Sequence, residues 1–144
     1  MENSFYSEIL TDHNMHPVHK HELSGCTCSR DGINPSCGDE ITLKLRIDNG
    51  VIADGSFTGS GCAVSQASAD IMLDLIIGRS VDEASKLHEL FMRMIHGEAD
   101  EAELDELDEA AALRDISRMP ARVKCAVLGW RTMKEMIGSA DDKI

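Results

Sequence analysis

The sequence predicts one α+β domain in which an antiparallel hairpin is followed by helices. Three observations carry that prediction. The stretch I-T-L-K-L-R-I, residues 41–47, alternates apolar and polar side chains with the period of two that a half-buried strand requires. Asp48-Asn49-Gly50 follows at once, and these residue types accept the positive backbone dihedrals of a tight hairpin, so the next run returns beside the first. Beyond Gly61 the apolar residues recur at helical spacing instead. The chain has 144 residues, the size of one ordinary domain, and residues 1–144 contain no internal repeat and no interdomain linker.

The first element in chain order is a short helix. From Ser4 to His13 the residues Phe5, Tyr6, Ile9 and Leu10 recur at helical spacing, with Asn3 or Ser4 as the candidate N-cap and Pro17 barring continuation. Residues 16–34 lack a clear period and read as a polar connector with room for one short strand near its end. The strand 41–47 directs Ile41, Leu43, Leu45 and Ile47 inward and Thr42, Lys44 and Arg46 outward, and V-I-A-D-G-S-F-T, residues 51–58, is its partner. After Gly59-Ser60-Gly61, a helix carrying Ala63, Ala67, Ile71 and Leu75 near one face runs to a stop at Gly78, with Cys62 at its first turn. Ser80-Val81-Asp82-Glu83 fits a capping box and opens a helix through Leu87, Leu90, Phe91 and Met94 to Gly97. Residues 98–109 hold eight acids and no base and read as a solvated helix face or loop docked by Leu104 and Leu107. Pro120 suits the first turn of a last helix, on which Val123, Ala126, Val127, Trp130, Met133 and Ile137 are spaced helically and Cys125 lies near the start.

Charge and hydropathy narrow the function classes. A formal net charge of −12 disfavours DNA, RNA and anionic membranes as partners, because each presents phosphates that would repel the chain. No window holds 18 uninterrupted apolar residues, and M-E-N-S-F-Y-S-E places acid where a signal peptide needs a basic region, so a soluble cytoplasmic protein is expected. Five cysteines in a reducing compartment point to metal binding or thiol chemistry ahead of a disulfide framework.

The strongest chemical signal is N-P-S-C-G-D, residues 34–39, where a soft sulfur ligand and a hard oxygen ligand stand one residue apart on a loop punctuated by proline and glycine. Neither Cys37 nor Asp39 has an apolar role to play there. Cys62 and Cys125 fall near helix starts, where free N–H groups and the helix dipole favour thiolate. Taken singly, each cysteine would be read as a small buried hydrophobe. Together with Asp39 they form a set of three thiolates and one carboxylate suited to a tetrahedral cation, zinc above all, leaving a formal charge of about −2. The carboxylate makes such a site easier to open than an all-cysteine knot. Arg122 is an angular neighbour of Cys125 on the last helix and is a candidate to steady an anionic site. Cys26-Thr27-Cys28 lacks the spacing of a zinc knuckle and reads as two exposed thiols in the connector. His13, His16, His19 and His21 read as a solvated polar segment, and Met72, Met92, Met94, Met133 and Met136 as core filling.

Three ordered motifs, N-P-S-C-G-D (34–39), G-S-G-C-A-V-S-Q-A-S (59–68) and P-A-R-V-K-C-A-V-L-G-W (120–130), resemble those of the IscU-like scaffold superfamily, and the resemblance spans nearly the whole chain. Within it the chain is similar to the SufU branch, the zinc-dependent sulfurtransferases of iron-sulfur cluster assembly. The scaffolds proper have a histidine where this chain has Lys124, and L-P-P-V-K where it reads R-M-P-A-R, residues 118–122. The added segment that includes residues 98–109 also agrees with the SufU branch. The resemblance implies a compact α+β fold of the IscU/SufE-like kind, a small antiparallel sheet with helices packed on one side. It also implies zinc at Cys37, Asp39, Cys62 and Cys125, with Cys37 as acceptor of persulfide sulfur. The implied partners are a pyridoxal-phosphate-dependent cysteine desulfurase of SufS type, one of whose histidines replaces Cys37 on zinc, and a downstream iron-sulfur scaffold complex. Two other functions use the same residues: a scaffold on which a [2Fe-2S] cluster is assembled, and a zinc-stabilised adaptor whose acidic face recruits partners.

Overall fold

The alternating run is the middle strand of a three-stranded antiparallel sheet ordered β1-β2-β3. The structure, a computed structural model, describes the backbone of residues 2–142 and the side chains of residues 8–138. Its elements are α1 (Glu2–Met15), β1 (Cys28–Asn34), β2 (Asp39–Asp48), β3 (Val51–Ser60), α2 (Ala63–Ile76), α3 (Val81–Ile95), α4 (Glu101–Leu107), a 3-10 helix (Asp108–Arg118) and α5 (Pro120–Asp142). This is the α+β architecture expected, with the buried residues Ile41, Leu43 and Leu45 of β2 facing one helical layer. The outward side chains behave as the alternation requires: Thr42, Lys44 and Arg46 are only half-buried, and Lys44 is paired with Glu22 at 2.7 Å.

The β2–β3 hairpin turns through Asn49 (φ 50°) and Gly50 (φ 78°), and Asp48 pairs with Val51, as the tight-turn residues demand. The register shifts between Arg46 and Ile47, which leaves Ile47 half-buried where the strict alternation placed it inward. The connector contributes more than the sequence suggested. Its end is β1, a strand of seven residues, and its middle runs along the free edge of β3, where the Phe57 N–H donates to the His19 carbonyl at 2.9 Å.

Four expectations need correction. Helix α1 begins at Glu2, so Asn3 and Ser4 lie inside it and cannot cap it. Helix α2 is buried on nearly all sides from Ser65 to Leu73, while Ala63 is exposed and Leu75 half-buried, so the predicted single face does not exist. The reason is its central place, with α1, α5, β3 and the 3-10 helix packed around it. Cys28 is a β1 residue packed against the core and Cys26 is half-buried, so neither is the exposed connector thiol expected. His13 is buried and His19 half-buried, both engaged with carboxylates, whereas His16 and His21 are exposed as expected.

Other local signals hold. Ser80 and Glu83 form the reciprocal capping box, and Gly97 (φ 77°) follows α3. Part of the acidic run forms α4, whose Leu107 is fully buried and Leu104 half-buried. The 3-10 helix after it has no counterpart in the sequence reading. Helix α5 lies across β1, and Gly32 permits the approach: a Cβ there would collide with the Thr132 hydroxyl and meet Leu128 Cδ1 at 3.3 Å. Among the described residues no helix is long and apolar enough to cross a membrane.

Candidate metal centre

Sheet topology brings the motif residues to one end. Asn34 closes β1 opposite Asp39, which opens β2, and the four residues between them form the hairpin tip that carries Cys37. The tip is a turn in which the Cys37 N–H donates to the Asn34 carbonyl at 3.3 Å, with Pro35 in its first central position and Gly38 (φ 71°) completing the reversal. Ser60 pairs with Glu40 at the same end of the sheet, so the chain leaving β3 delivers Cys62 there, at the N-cap of α2. Helix α5 supplies Cys125 from its second turn.

Asp39 is the fixed centre of this arrangement. It is fully buried, and its Oδ1 accepts the Cys62 N–H at 2.8 Å and the Ser65 hydroxyl at 3.2 Å, while Oδ2 accepts the Asn34 amide at 3.2 Å. Burial pushes the carboxyl upward, but the Cys62 N–H, the Cys125 thiol, the Asn34 amide and the Ser65 hydroxyl outweigh it and hold Asp39 below the usual carboxylate range. Cys125 is the opposite case. It is fully buried, and burial, followed by its neighbours Asp39, Cys37 and Cys62, pushes its thiol far up. A thiol so placed stays protonated unless positive charge enters the site.

Cys37 is exposed, and its Sγ lies 3.8 Å from the Ala121 carbonyl at the start of α5. One donor atom each from Cys37, Asp39 and Cys125 lie within 4.8 Å of one another. Cys62, half-buried, is not a member of that tight group, although it neighbours Cys125 and its N–H holds Asp39. Arg122 is exposed on the first turn of α5, and among the described residues its side chain makes no hydrogen bond or ion pair.

Two supporting residues escaped the sequence reading as functional groups. Asn34 reaches both Asp39 and Cys125, whose Sγ lies 3.7 Å from Nδ2, and Ser65 ties Asp39 to the first turn of α2. Asn34 stood inside the quoted motif; Ser65 carried no signal beyond its place three residues after Cys62. The Cys26/Cys28 pair lies elsewhere. Cys28 pairs with Leu45, six residues back along β1 from Asn34, roughly 20 Å at the rise of a strand, too far for direct thiol relay to Cys37.

Comparison with known proteins shows the family. The profile of the family described as NifU-like N-terminal domain matches residues 5–143. The chain is 43% identical over 133 residues to the iron-sulfur cluster assembly scaffold protein IscU of Thermotoga maritima, covering 92% of each chain. It is 32% identical over 139 residues to the zinc-dependent sulfurtransferase SufU of Bacillus subtilis, covering 96% of this chain and 93% of that one. The crystal structure of FiSufU from Fervidobacterium islandicum superposes with a TM-score of 0.83 at 34% identity, covering 92% of this chain and 96% of the other.

Proposed function

The chain belongs to the NifU-like N-terminal domain family, and from that membership we propose that it is a zinc-dependent sulfurtransferase of iron-sulfur cluster assembly. It takes persulfide sulfur from a pyridoxal-phosphate-dependent cysteine desulfurase onto Cys37 and passes it to a downstream iron-sulfur scaffold complex in the cytoplasm. One observation carries the reading: the exposed thiol of Cys37, on a hairpin tip, is grouped with a buried carboxylate and a buried thiol. The name of the Bacillus subtilis relative supports it.

The donor chemistry fits the metal. Asp39 is already held as an anion, and Cys125 is a buried thiol that needs a cation beside it to ionise. Cys37, Asp39, Cys62 and Cys125 are the residues that would hold zinc, which when bound favours thiolate over thiol at neutral pH. Three of these positions are anchored: Asp39 by four hydrogen-bonding neighbours, Cys62 at the start of a buried helix, Cys125 in the core. Cys37 alone is free to meet an incoming donor. Its thiolate attacks the terminal sulfur of the partner's persulfide; a new S–S bond forms at Cys37 as the donor's S–S bond breaks, and the donor cysteine departs as thiolate. The exchange needs no external oxidant or reductant. To Arg122, three residues before Cys125 on the exposed first turn of α5, we assign the steadying of the resulting anion.

A second reading, a scaffold for a [2Fe-2S] cluster, is favoured by the name of the Thermotoga maritima relative and by the affinity of the same thiolates for iron. Metal analysis of protein purified without added metal separates the two. Sulfur transfer predicts stoichiometric zinc, no visible absorption, and faster alanine release by the desulfurase. Iron with visible absorption would select the cluster scaffold, and zinc without desulfurase activation would leave an adaptor.

A further inference from the structure

Away from the cysteines, the molecule holds a second set of ligand-type side chains that the sulfur-transfer reading does not use. His13, on the last turn of α1, has a ring only 8% exposed. Its Nδ1 lies 2.7 Å from Asp70 Oδ2, and its Nε2 lies 2.9 Å from Glu109 Oε1 on the 3-10 helix. Asp70 is fully buried on α2, and its Oδ1 accepts the His19 N–H at 2.8 Å. One turn further along α2, Asp74 Oδ1 lies 2.7 Å from His19 Nε2. A ring nitrogen of His13 and one carboxylate oxygen each from Asp74 and Glu109 fall within 4.8 Å of one another.

We propose that this cluster is a second metal site, in which His13 Nε2 and the carboxylates of Asp74 and Glu109 hold a divalent first-row cation while buried Asp70 orients the imidazole from behind. His13 has the outer support that metal-ligating histidines have, a carboxylate holding Nδ1, and the ion takes the place of the proton that Nε2 otherwise donates to Glu109. Here Asp70 takes the Nδ1 side, and its own second oxygen is pinned by the connector backbone, so the ring cannot swing away. Glu109 stands at Nε2, and an Asp74 oxygen lies within 4.8 Å of the ligand atoms of both residues, so two carboxylates, groups that only accept hydrogen bonds, converge beside the ring. The back of the site is closed and the front is open, because the side chains of Asp74 and Glu109 are 44% and 48% exposed. An ion can therefore enter from solvent without opening the fold.

The donors also say which ions fit. One imidazole nitrogen and carboxylate oxygens, with no sulfur, suit manganese, ferrous iron or zinc and not a soft thiophilic ion. The cysteine centre has the reverse preference. The two sites are separate: Cys62 and Asp70 lie eight residues apart on α2, about 12 Å along the helix. The proposal does not depend on sulfur transfer and can fail or stand without it.

Mn2+ is the probe, because it discriminates against thiolate and its free ion is counted directly by electron paramagnetic resonance. Titrating the zinc-loaded full chain should remove about one Mn2+ per chain from the free signal. Asp74→Asn and Glu109→Gln, both at half-exposed positions that leave the His13–Asp70 pair intact, should each weaken binding by ~10-fold or more. Folded Asp39→Asn should bind as the parent does. The proposal is overturned if the parent takes up no Mn2+ at millimolar concentration, if either outer variant binds like the parent, or if Asp39→Asn loses the ion.

Discussion

Asn34 and Gly61 shape the cysteine site although neither supplies a metal donor. Asn34 bridges Asp39 and Cys125, and at Gly61 a Cβ would collide with Asp39 Oδ1 and approach Ser65 Oγ at 2.8 Å. Gly61→Ala should therefore push Asp39 off its partners and lower the zinc content of purified protein, with retained helical circular dichroism; full zinc occupancy would mean that the site tolerates a side chain at Gly61. Asp39→Ala should lose zinc more completely while the domain stays folded, since the core cluster does not include it. Cys37→Ala is the sharpest case. Removing the nucleophile should abolish desulfurase activation almost entirely rather than by degrees, and in the parent one added sulfur should map by mass spectrometry to the peptide containing Cys37. Persistent activation, or sulfur found on Cys62 or Cys125, would reassign the acceptor. Cys37 and Asp39 were legible because they stand together on a loop with no packing role. The network of Asn34 and Ser65 was not, because a hydrogen bond spanning 91 residues leaves no local pattern.

Elements were legible where their signals are local. The Ser80 capping box, the Asn49-Gly50 turn and Pro120 at the start of α5 each act through neighbours within a few residues. Ser80→Ala should cost about 1 kcal/mol, read as a lower denaturation midpoint with unchanged metal content. Elements defined by their surroundings were harder to read. Helix α2 has no single apolar face because α1, α5, β3 and the 3-10 helix enclose it, and Asp70 sits buried among them through its pairing with His13. Strand β1 gains its strand state from pairing with β2, since Ser29, Arg30 and Asp31 are exposed and show no alternation. Gly59 marks where β3 must bend to release the chain toward Cys62. Its φ of +123° and a Cβ that would strike the Glu40 carbonyl predict that Gly59→Ala destabilises by on the order of 1–3 kcal/mol, measurable by urea unfolding.

At the scale of the molecule, the net charge of −12 and the eight acids of residues 98–109 make self-repulsion a property of the whole surface. Exposed ion pairs such as Arg30–Glu135 each contribute little against it, and salt screens surface charge over roughly 10 Å at 0.1 M. The melting midpoint of the zinc-loaded chain should accordingly rise as sodium chloride is increased from low concentration to physiological strength; a fall would mean that the ion pairs outweigh the repulsion.

The core also carries a lamp. Trp130 is the chain's single tryptophan, fully buried and stacked on Phe91 with ring centroids 4.4 Å apart and planes 10° from parallel. It stands five residues after Cys125 on α5, about 7.5 Å along the axis. A closed-shell zinc ion at the cysteines has no absorption to receive its excitation and leaves its emission bright. An iron-sulfur chromophore at that range absorbs across the emission band and drains it by energy transfer. The brightness of one indole therefore distinguishes the sulfur carrier from the cluster scaffold in a cuvette, before any metal is extracted.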